Sequence, residues 1–213
     1  MDYNNKPQGY YNNNRPEMLK YLPENISTVL DIGCSDGSFG RLIKEETKAE
    51  VWGIEFMQEE ADKAKKVLDK IFTGPCEEFI DDLPEDHFDV IYFNDILEHL
   101  EDPYTVLQRV KSKLKKDGVV ISSIPNIRYY KAILSLLFKK DWRYEAHGVM
   151  DKTHLRFFTG KSIKRMYENQ GYKVHTHEGI NKTSSIRPIL FNIPFLFTQM
   201  DIRNLQYATV AGK

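Results

Sequence analysis

The stretch that decides the fold is "VLDIGCSDGSFG", Val29 to Gly40, a short apolar run followed by a glycine-rich loop. Its centre, Gly33 to Gly37, matches the G-x-S-x-G elbow of serine hydrolases, in which Ser35 would be the nucleophile. That serine normally follows several strands, whereas this motif follows the first strand that the sequence shows. The loop also suits a cofactor, because glycines let the backbone approach a ligand at the carboxyl end of a strand. A cofactor loop requires an acidic residue after the next strand, about 20 residues on, and Glu55 stands 18 positions after Gly37.

Composition indicates an ordinary globular domain. The 213 residues are 41% hydrophobic and 29% charged, with a net charge of -1, so no nucleic-acid partner is required. The only cysteines, Cys34 and Cys76, form no C-x-x-C pair, which favours reduced thiols. The apolar segment 186–197 is too short to span a bilayer and is interrupted twice by proline. We therefore predict a cytoplasmic protein with no transmembrane segment.

Apolar runs alternate with helical patterns along the first half of the chain. Strands are predicted at 28–32, 51–56, 88–93 and 118–124, and helices at 38–48, 57–72 and 103–116. This alternation predicts a parallel sheet covered on both faces. Beyond residue 126 the pattern changes to an aromatic helix at 127–142, an irregular stretch, a helix at 161–169 and two closing strands at 172–178 and 204–212.

A nicotinamide dinucleotide fingerprint is not met, since Ser35 stands where G-x-G-x-x-G requires its second glycine. The ordered set "VLDIGCSDGSFG", "WGIE", "FDVIYFNDILEHLEDP" and "LKKDGVVISSIPN" resembles the class I S-adenosylmethionine (SAM) dependent methyltransferases, over roughly residues 15–212. The resemblance implies an α/β, Rossmann-like, doubly wound sheet of seven mostly parallel strands, with an antiparallel C-terminal pair and a small helical cap. It implies one domain over 1–213, in which 1–27 close over the cofactor and 126–160 and 180–203 form cap or lid insertions.

The resemblance also implies a set of cofactor-binding residues. The loop from Gly33 through Cys34 and Ser35 to Gly37 would lie along the methionine part of SAM, with Asp31 supporting the loop or the amino group. Glu55 would hold the ribose hydroxyls. The other predicted contacts are Phe56 and Met57 flanking the adenine, Cys76 and Glu77 at its edge, Asn94 after the fourth strand, and Tyr11 and Arg15 over the cofactor carboxylate.

Candidate catalytic groups follow the fourth strand and recur in the irregular stretch. "NDILEHLED" offers Asp95, Glu98 and His99 at the edge where such sites form, and His99 is the first candidate for a general base. His154 in "DKTHLRFFT" is the second. Asp95, Glu98, His99 and His154 also resemble the magnesium ligands of relatives that act on ribose or quinone precursors. We nevertheless predict no metal, because magnesium prefers oxygen ligands.

The leading hypothesis is an O-methyltransferase that transfers methyl from SAM to a hydroxyl of a sugar or glycan precursor, as in polysaccharide biosynthesis, and releases S-adenosylhomocysteine. The alternative is a quinone or other phenolic acceptor, methylated with or without magnesium. A serine hydrolase using Ser35 and a non-catalytic SAM-binding module are the other classes considered. For segments 127–142 and 186–197, a lid, a homodimer interface and a membrane-surface contact all stay open.

Overall fold

The structure is a computed structural model and describes residues 14–213. Seven strands form one sheet: β1 (Thr28–Ile32), β2 (Glu50–Glu55), β3 (Lys70–Thr73), β4 (Phe88–Asn94), β5 (Leu114–Pro125), β6 (Lys173–Lys182) and β7 (Asn204–Gly212). Their order is β3-β2-β1-β4-β5-β7-β6. The pairs among β1 to β5 are parallel, and β7 lies antiparallel to both β5 and β6. The predicted fold is confirmed.

The helices are α1 (Ser38–Thr47), α2 (Gln58–Ala64), α3 (Cys76–Phe79), α4 (Pro103–Val110), α5 (Tyr130–Leu134), α6 (Gly160–Asn169) and α7 (Arg187–Asn192). A π turn, Ser135–Lys139, continues α5, and 3-10 turns include Pro16–Tyr21, Leu97–His99, Ile193–Phe195 and Met200–Arg203. The starts of α4 and α6 are capped by side chains. Asp102 accepts the first free amides of α4, and Thr159 forms a capping box with Ser162 at the start of α6.

Helices cover the sheet on both faces, which explains the continuous apolar runs of the inner strands. In β1, Val29 packs into the core under α1 and α2, whereas its neighbour Leu30 packs into the core under α4 and α6. Both side chains are fully buried. A strand with two buried faces needs apolar residues at successive positions, and this is the pattern that the sequence shows.

Three predicted helices are wrong in their extent, among them the one expected over 127–142, which is helical over 130–139 only. The helix expected over 57–72 ends at Ala64, and residues Lys70–Thr73 form the edge strand β3 instead. Ile71 continues the helical spacing of apolar residues, so that periodicity alone did not separate a four-residue strand from the helix before it. The helix expected over 103–116 likewise ends early, at Val110.

The order of the strands determines where a ligand can bind. The chain runs from β1 outward to β2 and β3, and then crosses to β4 and β5 on the other side of β1. The switch point therefore lies between the carboxyl ends of β1 and β4, where an open α/β sheet leaves a crevice. Within residues 14–213, no helix has the length and apolar character needed to cross a membrane.

Candidate functional site

A cavity of about 1090 Å³ opens at this switch point. It is lined by the loops after β1, β2 and β4 together with residues 148–154. Most of the predicted site residues line it: Arg15, Asp31, Gly33, Cys34, Ser35, Glu55, Phe56, Met57, Cys76, Glu77, Asn94, Asp95, His99 and His154. Gly37 is not part of the lining but forms the N-cap of α1. Tyr11 lies outside the described residues.

The glycine loop closes tightly over the end of β1. The amides of Gly33 and Cys34 both donate to the carbonyl of Ile54, at 2.8 and 3.3 Å. Gly33 has a left-handed backbone with φ +78°, and a Cβ there would stand 2.0 Å from Cδ1 of Ile96. Only glycine fits this tight cradle beside Ile96 without strain. The side chain of Cys34 is buried in the core, so this residue borders the cavity with its backbone.

Glu55 joins the loop after β1 to the loop after β2. Its Oε2 accepts the amide of Ser35 and its Oε1 accepts the amide of Met57, each at 2.8 Å. Ser35 is held in a left-handed conformation with φ 50°. The carboxyl group of Glu55 is buried, and this burial raises its pKa above the ordinary value. A bound ligand that also contacts the carboxyl oxygens of Glu55 must therefore be a good hydrogen-bond donor.

Asp31 lies at the end of β1, only 2% exposed. Burial, and then the nearby charge of Glu55, raise its pKa from 3.8 to about 7. Two buried carboxyl groups on one wall favour a ligand with a cationic group and several hydroxyl donors. The cofactor that the resemblance implies has both, in its amino group and its ribose.

Asn94 supplies a further polar group whose amide finds no partner within residues 14–213. Its amide nitrogen and oxygen are buried, and neither bonds to another residue within 14–213. A buried amide normally finds partners, so that a bound ligand would supply them here. Phe56, by contrast, is more than half exposed at the rim, where a flat ring can stack. The cradle, the carboxyls and this amide fit the implied cofactor.

Asp95 is held by a set of partners that the sequence did not predict. It forms an ion pair with Arg15. It also accepts hydrogen bonds from Nε2 of Gln206 at 2.5 Å and from Oγ of Ser123 at 3.3 Å. Arg15 is itself buried and also pairs with Glu17 at 2.9 Å. The charge of the Asp95 carboxylate is already compensated by Arg15. The catalytic role of Asp95 thus stays a prediction. Gln206 was not predicted as a site residue. The sequence feature that could have indicated it is a polar residue between apolar neighbours in the last strand.

Three of the four proposed metal ligands come together. One ligand atom each from Glu98, His99 and His154 lies within 4.8 Å of the others. Nδ1 of His99 lies 3.0 Å from the carbonyl of Thr153, and Nδ1 of His154 lies 3.1 Å from that of Val149. A carbonyl only accepts, so each Nδ1 carries a proton and donates it to the carbonyl.

Two members of the cluster are deeply buried, and burial shifts their pKa values. Glu98 is 1% exposed, and neither of its oxygens has a hydrogen-bond partner among residues 14–213. Burial, and then the charge of Asp95, raise the pKa of Glu98 well above its usual range. Burial, and then the neighbouring His99, lower the pKa of His154 to about 4. His154 is therefore neutral at neutral pH, and its Nε2 is a hydrogen-bond acceptor.

Comparisons with known proteins agree with this fold. A family model described as a methyltransferase domain matches residues 3–177. A protein of Haemophilus influenzae is 33% identical over 119 residues, which are 51% of this chain and 46% of that protein. A ubiquinone biosynthesis O-methyltransferase of Actinobacillus pleuropneumoniae is 32% identical over 141 residues, covering 60% of this chain and 59% of that protein. The chain thus spans about half the length of these curated relatives.

A relative that matches over a longer part of the chain has a lower sequence identity. A ubiquinone biosynthesis O-methyltransferase of Coxiella burnetii is 24% identical over 198 residues, covering 86% of this chain and 83% of that protein. Among solved structures, a SAM-dependent methyltransferase from Archaeoglobus fulgidus aligns with a TM-score of 0.69 and 22% identity. That alignment covers 92% of this chain and 91% of the other. At this identity, the likeness concerns the fold alone.

Proposed function

The chain belongs to the methyltransferase domain family, as a class I domain whose cofactor is SAM, and we propose that it methylates a hydroxyl group on an aromatic ring. The observation that carries this proposal is the buried cluster of Glu98, His99 and His154 on the wall of the cavity. SAM supplies a methyl group on a positively charged sulfur, which an oxygen nucleophile can displace in line. The protein must then hold the acceptor in place and take up its proton.

The cofactor side of the site uses the groups that fit it. Glu55 holds the ribose hydroxyls while it keeps the glycine loop in place through the amide of Ser35. Asp31 receives the amino group of the methionine part, and the backbone of Gly33 leaves room for its chain. Asn94 meets a polar edge of the ligand. These assignments all depend on side chains or backbone that border one cavity.

His99 is the proposed general base. Its Nδ1 proton is engaged by the carbonyl of Thr153, so the proton of the acceptor passes to Nε2. His154 orients this ring, at 4.8 Å between ring centroids, and the low pKa of His154 makes His154 itself a weak base. A phenol, with a pKa near 10 as in tyrosine, yields its proton to imidazole far more readily than an aliphatic hydroxyl, whose pKa is far higher and close to that of water.

The names of the relatives point the same way. The Actinobacillus and Coxiella proteins are named for O-methylation in ubiquinone biosynthesis, which supports a phenolic acceptor for this chain. The sugar hydroxyl stays a second candidate, because exposed aromatic rings suit the flat face of a sugar. Trp142 and Tyr144 contact Phe157, with ring centroids at 5.2 and 6.2 Å, and Phe157 contacts His154 in turn.

A metal-assisted version of the reaction is supported by the unpartnered oxygens of Glu98. One carboxylate and two imidazoles would hold a divalent cation, which would stabilise the deprotonated oxygen of the acceptor. This mixed set suits a transition-metal ion better than magnesium, which prefers oxygen alone. Asp95, the fourth residue of the suggested set, is engaged by Arg15 instead.

Methyl transfer from labelled SAM to dihydroxybenzoate and to a panel of free and nucleotide-linked sugars tests the proposal. We expect product from the phenol, and a loss of about 100-fold or more in kcat for His99→Ala. His147→Ala is the matched control, since His147 is exposed and does not line the cavity. Product from sugars alone would overturn the phenolic acceptor. Loss of activity with a chelator and in Glu98→Gln, restored in the wild type by added Mn²⁺, would establish the metal-assisted version.

A further inference from the structure

Exposed apolar side chains are concentrated in two insertions. Every exposed large hydrophobic residue within 14–213, except Phe56 and Tyr104, lies in residues 136–144 or 186–197. Phe138 is 73% exposed and Leu196 is 83% exposed. Surface patches of this kind on soluble proteins mark interaction sites.

The backbone holds some of these side chains outward. Leu196 and Phe197 both adopt left-handed conformations, with φ of 50° and 59°. Bulky residues rarely adopt such a conformation, which costs about 1 kcal/mol each. In the first insertion, the turn after α5 buries none of its residues, so its apolar side chains are not part of the protein core. Both segments therefore present apolar surface that the described residues leave uncovered.

The two insertions leave the sheet at the same place, where β5 ends and β7 begins. The first follows β5 and the second precedes β7, and Pro125 at the end of β5 is the register partner of Gln206 at the start of β7. Arg128 and Asp201 form an ion pair that ties the start of the first insertion to the end of the second. Pro125 and Gln206 also line the cavity. The apolar segments thus flank the side of the molecule on which the site opens.

The same segments are strongly basic. Residues 131–144 and 182–197 together carry six basic side chains and one acidic one. Their formal charge of +5, against -1 for the whole chain, leaves -6 for the remainder. The basic residues are Lys131, Lys139, Lys140, Arg143, Lys182 and Arg187, all exposed and none in an ion pair with another residue of 14–213.

We propose that these two insertions, residues 131–144 and 182–197, dock the protein on the surface of an anionic phospholipid bilayer. Apolar side chains next to lysine and arginine are the composition that enters the headgroup region. Each basic residue near an anionic leaflet adds attraction that falls with ionic strength. A second copy of the chain is a poorer occupant, because a two-fold interface would place each basic segment against another.

A bilayer docked there lies on the same side as the cavity. This position gives an acceptor with an apolar tail a route from the lipid phase to the site at the end of β5. The docking surface itself requires neither SAM nor an acceptor, so that its failure and the failure of the proposed methyl transfer are separate results.

Cosedimentation of the full chain with lipid vesicles tests the inference. We expect binding to phosphatidylcholine vesicles that contain about 30 mol% phosphatidylglycerol, and loss of that binding at about 0.5 M salt. Lys139→Glu with Lys140→Glu should lower the partition coefficient by about tenfold or more. Leu196→Ser with Phe197→Ser should lower it as well, since it removes the apolar part of the contact.

Lys66→Glu with Lys116→Glu is the matched control, because it makes the same charge change at exposed positions away from the insertions, one before the edge strand β3 and one at the amino end of β5. It should bind vesicles as the wild type does, and S-adenosylhomocysteine titration of every variant confirms that the cofactor site is folded. Equal binding to neutral and anionic vesicles, or an equal loss in the control, would overturn the inference. So would the absence of vesicle binding from a chain that forms dimers by analytical ultracentrifugation.

Discussion

We expect Asp31 to make cofactor binding dependent on pH. Its pKa is about 7 in the ligand-free protein, whereas a carboxylate beside the amino group of the cofactor must be ionised. Asp31 is therefore about 90% ionised at pH 8 and about 10% ionised at pH 6. Binding has to remove the proton at the lower pH, and we expect the affinity for S-adenosylhomocysteine to fall about tenfold between these values, or by about 1.4 kcal/mol.

Isothermal titration calorimetry at pH 6, 7 and 8 measures this change. Buffers of different ionisation enthalpy should also report the release of about half a proton per ligand at pH 7. Asp31→Asn should bind more weakly at pH 8 and show a flat profile. Glu55→Gln is the comparison, because it changes the other buried carboxyl of the same wall. A flat profile in the wild type, or a tenfold drop that persists in Asp31→Asn and disappears in Glu55→Gln, would refute the assignment.

The same shift has the opposite effect on stability. The pKa of Asp31 is raised from 3.8 to about 7 on folding, so the folded state binds a proton that the unfolded chain has lost. The free energy of unfolding should therefore decrease as pH rises from about 4 to about 7, by at most about 4 kcal/mol. Asp31→Asn should then unfold at a higher temperature than the wild type at pH 8, without ligand, and show no such gain at pH 4. Equal melting temperatures at pH 8 would contradict this.

Three further substitutions test the framework around the site. Asp102→Ala removes the cap of α4 and should cost about 1 kcal/mol, seen by calorimetry as a melting temperature lower by about 2–4 °C. Tyr167→Phe removes a buried hydroxyl that donates to Oγ of Ser122 at 2.8 Å, and urea unfolding should show a loss of about 1 kcal/mol with methyl transfer unchanged. Gly33→Ala places a Cβ 2.0 Å from Cδ1 of Ile96, and should weaken S-adenosylhomocysteine binding by about tenfold or more while circular dichroism shows a folded chain.

The sequence was most informative where a residue's role depends on its own strand or loop. Apolar runs predicted β1 and β4 because both of their faces are buried. The position of Glu55 followed from the spacing of two neighbouring strands. His99 and His154 were identified as candidates, but their approach depends on the path of residues 148–154 over the cavity, which no local pattern predicts. The ion pair between Arg15 and Asp95 was not predicted for the same reason, since these residues are 80 positions apart.

The position of β7 has a consequence for the newly synthesised chain. β6 is made first, yet it contacts the sheet only through β7, which lies between it and β5. While residues 204–212 are still in the ribosome, β6 has no strand to pair with, and the edge of β5 has no cover. Gln206, the partner of Asp95, arrives with the same segment. Two of the seven strands and one wall of the site are therefore completed together, in a single late step, and the strand edge of β5 stays open until that step occurs.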